Sequence, residues 1–314
     1  MLCYDKLKNK PNVLLAFTSL TQPEFEELLV AFEPAWNQYI LKEFIADRER
    51  QRQYGGGRKP ALQTAADRLL FILFYLKTYP LQEVLAFFFG MSQAQANQWI
   101  YRLTTVLKMA LDNLACLPER EAAQLDKVLA QYDTLEFAQD GTERRRQRPK
   151  DNQQQREYYS GKKKAHTVKN NLIAHPESRK VCYLSDTVPG KKHDKKLADE
   201  ANLSFPLNCL LEQDTGYQGF LPERVIILQP KKKPKGKDLT LGEKFINKVI
   251  ASARIVVENV IAGVKRCRIV KDVFRNRKEE FADLVINLAC GLHNFRVEHR
   301  SPLQTVNLVD FYFR

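Results

Sequence analysis

The sequence predicts an α/β protein in which a mixed β-sheet with flanking helices follows an all-α region. Its 314 residues allow two or three folded units, and 44% hydrophobic residues are enough to form their cores. Helical spacing of apolar residues dominates the first 131 residues, whereas short β-like runs alternate with helices from Thr134 onward. The six cysteines contain no C-x-x-C pair, which argues against a zinc site and indicates reduced thiols in a reducing cytosol.

The charge of the chain predicts a polyanionic partner. There are 50 Lys and Arg against 37 Asp and Glu, a net charge of +13, so nucleic acid and an anionic membrane surface are the two candidates. The longest apolar stretch, Leu69–Leu76, is far shorter than the roughly 20 residues that cross a bilayer. The first ten residues lack the pattern of a signal peptide, so we expect a soluble protein.

Helix-start signals organise the first part of the chain. Thr21 and Glu24 form a capping box ahead of apolar residues at helical spacing, which predicts an N-terminal helical region over residues 1–45. Residues 46–60 are polar and contain three consecutive glycines between arginines, the composition of a flexible linker. A further helix cap follows at Thr64.

Residues 61–131 are predicted to hold a helix-turn-helix DNA-binding domain. A short helix, Leu81–Phe89, ends at Gly90, and Ser92 caps the next helix after a three-residue turn. In this motif the second helix lies in a major groove, where amide and guanidinium groups read base edges. The predicted base-reading residues are Gln93, Gln95, Asn97, Gln98 and Arg102. A helical hairpin that only packs has the same spacing, so the pattern alone leaves both interpretations open.

Residues 132–300 predict one mixed sheet. The β-like runs are Thr134–Ala138, Ala165–Ala174, Lys180–Ser185, Asn208–Glu212 and Val225–Leu228. Two helices are interleaved with them, His193–Ala201 before the fourth run and Leu241–Lys265 after the fifth. Residues 301–314 are interpreted as a C-terminal tail.

Three acidic residues occupy unusual positions. Asp140 follows the first predicted strand and Asp214 the fourth, so both carboxylates are expected at the strand ends where α/β sheets bind ligands. Aspartate beside glycine is also common in simple turns. Glu258 lies among apolar residues in the long predicted helix, and at 100° per residue Arg254, Glu258 and Lys265 share one face. A surface ion pair between Arg254 and Glu258 therefore stays an alternative.

Taken together, these motifs resemble those of DDE-type insertion-sequence transposases. The matching segments are Asp140-Gly-Thr-Glu, the basic run Tyr158–Thr167, Gly190-x-x-His193-Asp194, Asp214-Thr-Gly-Tyr, Arg254-x-x-x-Glu258 and Lys265-Arg266. The resemblance covers roughly Leu62–Arg296 and is to the subgroup related to Harbinger-type transposases, with a helix-turn-helix before the catalytic domain. One departure is Ala251, where relatives often carry a tyrosine that contacts the DNA backbone.

The resemblance implies an RNase H-like fold with a five-stranded sheet and a catalytic triad of Asp140, Asp214 and Glu258. These residues are expected to hold two Mg²⁺ ions, for which Mn²⁺ substitutes, because carboxylates suit hard cations. Two ions about 3.5–4 Å apart activate water and stabilise the departing 3′ oxygen of a phosphodiester. The implied function is cut-and-paste DNA transposition by metal-dependent hydrolysis and strand transfer.

The implied partners are double-stranded DNA, both as terminal inverted repeats and as target, and a second copy of the chain in a homodimer. The expected location is the bacterial cytoplasm in association with the nucleoid, and no membrane is expected. A DNA-binding repressor or architectural factor that has lost catalysis is the main alternative. A general RNase H-like nuclease would not need the helix-turn-helix.

Basic residues are concentrated just after Asp140. Residues 141–180 contain 12 Lys and Arg and 4 Asp and Glu, so +8 of the net +13 lies in this segment. The predicted DNA contacts outside the helix-turn-helix are Arg144, Arg145, Arg148, Lys162, Lys163, Lys164, Arg254, Lys265 and Arg266. A solvated charged surface is the alternative for such a run.

Other polar residues compete for a role in metal binding. His166 and His193 share no ligand spacing and are interpreted as a strand residue and a helix-start residue. Asp186 and Asp194 are the rivals for an acidic ligand. Asp194 is placed at a helix start, where the helix dipole by itself favours a carboxylate.

Overall fold

A computed structural model describes residues 1–45, 59–233, 236, 238–278 and 280–300. The chain divides into two compact units. The helical unit comprises Met1–Leu117, Lys265–Asp272 and Leu284–Arg296, and the sheet unit comprises Pro118–Val264, Val273–Asp283 and Val297–Arg314. The predicted tail, and the predicted linker apart from its last two residues, lie outside the described residues. The predicted domain limits stay predictions.

The N-terminal part of the helical unit contains five α-helices among its described residues. They are α1 (Pro11–Thr18), α2 (Gln22–Ile40, continued by a π-helical turn at Leu41–Ile45), α3 (Ala65–Thr78), α4 (Gln82–Phe89) and α5 (Gln93–Asn113). Large apolar side chains such as Phe25, Phe71 and Phe89 are fully buried between them. No helix in the described part of the chain is long and apolar enough to cross a membrane.

The predicted helix starts are confirmed. Thr21 and Ser92 each form a reciprocal capping box with the residue three positions later, and Thr64 accepts a hydrogen bond from the Asp67 backbone nitrogen at 3.0 Å. Gly90 ends α4 with φ +65°, a left-handed conformation that glycine adopts without strain. The chain can therefore turn directly from α4 into α5.

The described part of the sheet unit contains seven strands and several helices. The strands are β1 (Glu136–Arg145), β2 (Tyr159–Ser160), β3 (Ala165–Ala174), β4 (Val181–Leu184), β5 (Val188–Pro189), β6 (Cys209–Gln213) and β7 (Val225–Leu228). The helices are α6 (Leu125–Leu129), α7 (Asn152–Tyr158), α8 (Asp194–Glu200) and α9 (Leu241–Val264), and α10 (Phe281–His299) contributes residues to both units.

The sheet is mixed, as the sequence predicts. β3 pairs antiparallel with β1, β2, β4 and β5, whereas β1, β6 and β7 are parallel. The five longer strands follow the order β4-β3-β1-β6-β7, which fits the predicted RNase H-like class. The prediction of five strands misses β2 and β5, because two residues are too few to show an alternating pattern.

β1 extends further than its apolar pattern predicts. Asp140 therefore lies inside the strand, opposite Leu172 of β3, and the prediction that it follows the strand end is wrong. β6 pairs with β1 only over Glu136 to Gln139, so Asp140 is the first residue beyond the parallel pairing. Pairing with β3 continues to Arg145 and keeps this polar segment extended.

The core of the sheet unit positions the strands that carry the aspartates. Phe137, Ile173 and Leu211 pack in one cluster with side chains that follow β6. α9 packs against β1 and β6. The predicted inward face of α9 is confirmed, since its described members Val257, Val260, Ile261 and Val264 are buried.

Glu212 of β6 provides a test of pH-dependent stability. Its carboxyl group is buried, and burial, followed by the charge of Glu136, raises its pKa to about 7. The folded chain thus keeps a proton that the unfolded chain loses near pH 4.5, so stability should fall as pH rises from 4.5 to 7. Glu212→Gln is expected to flatten this slope and to raise the free energy of unfolding at pH 8 by up to about 3 kcal/mol.

Urea denaturation at pH 5 and pH 8 measures this effect. Glu136→Gln is the matched control. Glu136 is exposed, and its charge is only the second cause of the raised Glu212 pKa, so this variant should change the pH slope of stability much less. An unchanged slope in Glu212→Gln would contradict the assignment.

Candidate functional site

Asp140 of β1 and Asp214, which directly follows β6, lie side by side where the parallel pairing of these two strands ends. Gln139 and Gln213 are register partners, and each aspartate directly follows its glutamine. The two glutamines are joined by a buried hydrogen bond of 2.6 Å from Gln213 Nε2 to Gln139 Oε1. This bond holds the two strands in register immediately before the acidic residues.

Backbone amides orient both carboxylates. Asp140 Oδ1 accepts a hydrogen bond from the Gly141 nitrogen at 2.7 Å, and Asp214 Oδ1 accepts one from the Gly216 nitrogen at 2.5 Å. Asp214 caps the 3₁₀ turn Thr215–Tyr217, so its position is set by the turn that ends β6. Both aspartates are half-buried.

The structure brings a third aspartate, Asp194, to the same edge. A Cβ atom on Gly141 would lie 2.8 Å from Asp194 Oδ1, and one on Gly216 would lie 3.4 Å from its Oδ2. Asp194 Oδ1 also pairs with Lys169 Nζ at 3.0 Å. The sequence did not place Asp194 beside these two aspartates. The glycines that follow them could have indicated a close neighbour, because a larger side chain at position 141 would collide with the Asp194 carboxylate.

Tyr217 lies among the three aspartates. Burial raises the pKa of its hydroxyl, and the charges of Asp194, Asp140 and Asp214 raise it further. The hydroxyl donates a hydrogen bond to Asn171 Oδ1 of β3. Tyr217 is therefore a neutral donor at physiological pH, and its ring closes the inner side of the acidic edge against the core.

Glu258 is exposed on α9, the helix that packs against β1 and β6. Across the described residues, no three acidic, histidine or cysteine side chains stand close enough to hold a metal ion together. The structure thus gathers Asp140, Asp194 and Asp214 at one edge, but it does not place Glu258 with them in a preformed ligand group. Carboxylate oxygens of this kind are nevertheless the ligands that Mg²⁺ prefers.

Two of the three basic residues predicted near Glu258 directly follow α9. The helix ends at Val264, one residue before Lys265, so a shared helix face of Lys265 and Glu258 stays a prediction. Lys265 and Arg266 belong to the helical unit. The side chain of Arg254 lies outside the described residues.

Arg144 is a structural residue. It is 2% exposed, and its guanidinium donates to Asn170 Oδ1 at 2.7 Å, to Thr187 Oγ1 at 3.2 Å and to the Ala282 carbonyl oxygen at 3.0 Å. The prediction that Arg144 contacts DNA is therefore wrong. The other predicted contacts in this basic segment are exposed, namely Arg145, Arg148, Lys162, Lys163 and Lys164.

In the helical unit, three of the predicted base-reading side chains form hydrogen bonds within the protein. Gln93 Nε2 and Asn97 Nδ2 donate to Gln82 Oε1 of α4 at 2.5 and 3.2 Å. Gln95 is occupied by the capping box with Ser92. These bonds link the start of α5 to α4.

Two predicted base-reading residues remain on the outer part of α5. Gln98 is exposed. The Arg102 guanidinium lies 5.3 Å from the ring centre of Phe44 and 5.9 Å from that of Trp99, within cation–π range. The aromatic rings hold Arg102 in place while it stays half-exposed.

The remaining candidates for metal binding have local roles. His193 caps α8 by accepting a hydrogen bond from the Lys195 nitrogen at 3.3 Å, and His166 is a residue of β3, as predicted. Asp186 forms an ion pair with Arg120 at 2.8 Å.

Two parts of the chain match known protein families. Residues 139–294 match the family described as DDE superfamily endonuclease, and residues 60–112 match the helix-turn-helix of DDE superfamily endonuclease. The chain is 28% identical over 278 residues to a probable transposase for insertion sequence element IS702 from Microchaete diplosiphon, covering 88% of this chain and 96% of that protein. No solved structure matches the chain.

Proposed function

Because the chain belongs to the DDE superfamily of endonucleases and carries the helix-turn-helix of that family, we propose that it is the transposase of a bacterial insertion sequence. It would bind the terminal inverted repeats of the element, cut the DNA and join the ends to a target. One observation carries the proposal: Asp140 and Asp214 meet at the edge of two parallel strands, and α9, which carries Glu258, packs on these same strands.

Asp140, Asp214 and Glu258 are proposed to hold two divalent cations, Mg²⁺ or Mn²⁺. When bound, such ions activate a water molecule and stabilise the departing 3′ oxygen of a phosphodiester. The Gly141 and Gly216 amides each donate to one carboxylate oxygen, Oδ1 of Asp140 and Oδ1 of Asp214, and so orient these two side chains. The freed 3′-OH would remain at the same edge and attack target DNA, so hydrolysis and strand transfer need one site.

The basic segment after Asp140 is proposed to bind the phosphate backbone of the DNA end. Arg145, Arg148 and Lys162–Lys164 are exposed and follow Asp140 along the hairpin of β1 and β3. Gln98 and Arg102 on α5 would contact the terminal repeat in a major groove. We further propose a homodimer that pairs two ends, acting in the cytoplasm at the nucleoid.

The alternative is a DNA-binding protein that has lost catalysis. The absence of a preformed ligand group among the described residues favours it. Against it, Asp140 and Asp214 directly follow register partners on two parallel strands, where two like charges repel and a bound cation would stabilise them.

A cleavage assay with a labelled end of the element tests the proposal. The DNA flanking the gene supplies the inverted repeat, and a scrambled duplex is the control. Cleavage that leaves a 3′-OH is expected with Mg²⁺ or Mn²⁺ and not with EDTA. Specific binding without cleavage in either metal would favour the alternative, and cleavage in EDTA would contradict metal dependence.

A further inference from the structure

A pocket of about 910 Å³ lies beside β2 and the start of β3, away from the acidic edge. Its lining includes the cations Arg148, Arg156 and Lys191, the rings of Tyr159 and His166, and the amide of Asn152. None of the described lining residues is acidic. The pocket therefore combines positive charge with an aromatic surface.

One cation is held in a fixed orientation. Arg148 Nε and Nη2 both donate to Gln155 Oε1, at 2.9 and 2.6 Å, and Gln155 Nε2 donates to the Pro149 carbonyl oxygen at 2.9 Å. Arg148 Nη1 takes no part in these two bonds. Arg156 and Lys191 are exposed and form no ion pair within the described part of the chain.

The loop that carries Lys191 follows β3 closely. The Gly190 nitrogen donates to the Thr167 carbonyl oxygen at 2.9 Å, and a Cβ on Gly190 would lie 1.8 Å from Thr167 Oγ1. Only glycine permits this approach. Lys191 is thereby held beside His166 at the pocket.

The aromatic surface is provided by Tyr159. Its side chain is 46% exposed, and pairing with His166 across β2 and β3 sets its position. The two rings meet at 5.7 Å and 70°, an edge contact that leaves ring surface uncovered. An unpaired base can stack on such a ring, whereas a base inside a duplex is already covered by its neighbours.

The pocket lies further along the paired strands β1 and β3 than Asp140. β1 runs from Asp140 to Arg145, whose partner Thr167 is next to His166. Five strand residues at about 3.3 Å each span roughly 17 Å. A DNA strand advances about 3.4 Å per nucleotide, so this span corresponds to about five nucleotides.

We propose that this pocket binds one unpaired nucleotide of the DNA end, with its phosphate on Arg148, Arg156 and Lys191 and its base on Tyr159. The inference rests on the proposed function, because it assumes that a DNA strand leads to the acidic edge. Cations alone would suit any phosphate, but the uncovered ring selects a ligand that also carries a flat base.

The inference is tested by comparing the affinity of the chain for two DNA probes, both of which contain the end of the element. The full duplex is paired throughout, and the unpaired probe has a single unpaired nucleotide five positions from the cut. In fluorescence anisotropy, the wild-type chain is expected to prefer the unpaired probe, and Tyr159→Ala to reduce that preference at least fivefold with unchanged affinity for the full duplex. Tyr159→Phe keeps the ring and should keep the preference.

A charge variant provides the second arm. For the unpaired probe, Arg156→Gln should reduce the slope of log K against log salt concentration by about one, which corresponds to one lost phosphate contact. Lys127→Gln is the control. It removes an exposed charge of the sheet unit outside the pocket and should leave this slope unchanged. Thermal unfolding of each variant checks that the fold is intact.

The outcomes separate this inference from the proposed function. If the wild-type chain binds both probes equally, or if Tyr159→Ala loses the same affinity for both, the pocket does not bind an unpaired nucleotide. The transposase proposal would be unaffected by either result. Failure to bind the end of the element at all would overturn both.

Discussion

Asp140→Asn, Asp214→Asn and Glu258→Gln are each expected to reduce end cleavage at least about a thousandfold, the scale found when an essential catalytic group is removed. Each change keeps the shape of the side chain but removes the negative charge that a divalent cation requires. Binding of the terminal repeat should remain nearly unchanged, because it is assigned to α5 and to basic residues outside the acidic edge.

The measurement combines a cleavage time course with anisotropy on the same labelled end. Asp133→Asn is the control, since Asp133 is an exposed aspartate of the sheet unit outside the edge. Substantial cleavage in any of the three variants would remove that residue from the proposed triad. Glu258→Gln is the most informative of them, because the structure does not place Glu258 with the aspartates.

Asp194→Asn is expected to lower the free energy of unfolding by about 2–3 kcal/mol, somewhat less than the usual cost of breaking a fully buried ion pair. Lys169 is 8% exposed, and its ammonium group contacts Asp194 Oδ1 at 3.0 Å and the Lys192 carbonyl oxygen at 2.9 Å. Without the carboxylate, the buried ammonium group keeps only neutral oxygen acceptors. The 22% exposure of the Asp194 side chain places the expected cost below the full range.

Chemical denaturation of single and double variants measures the coupling. Lys169→Met combined with Asp194→Asn should regain most of the lost stability, because no unpaired charge is left buried. Asp199→Asn is the matched control in α8: its ion pair with Lys195 is exposed, and its loss should cost less than about 0.5 kcal/mol. If Asp194→Asn were no more destabilising than Asp199→Asn, the buried pair would not stabilise this edge.

Much of the local structure could be predicted from the sequence. The caps at Thr21, Thr64 and Ser92 depend on side chains only three residues from their partners, and all three form as predicted. β7 and the inward face of α9 also follow from short apolar patterns. Such features depend on neighbours along the chain, which is why local spacing identifies them.

Features that depend on distant partners were predicted poorly. β1 continues past its apolar run because β3 pairs with it as far as Arg145. Arg144 is buried because Asn170, Thr187 and Ala282 supply its acceptors. Neither result can be read from local spacing, since the partners lie 26, 43 and 138 residues away.

The sequence by itself determined the helices, the mixed sheet, the basic segment after Asp140 and the motifs of a DDE-type endonuclease. Only the tertiary structure decided that Asp194 lies near Asp140 and Asp214, and that Tyr217 is a neighbour of all three. It also decided that a pocket with basic and aromatic residues forms beside β2 and the start of β3. The physical reason is that charge, burial and stacking depend on which residues the strand pairing brings together.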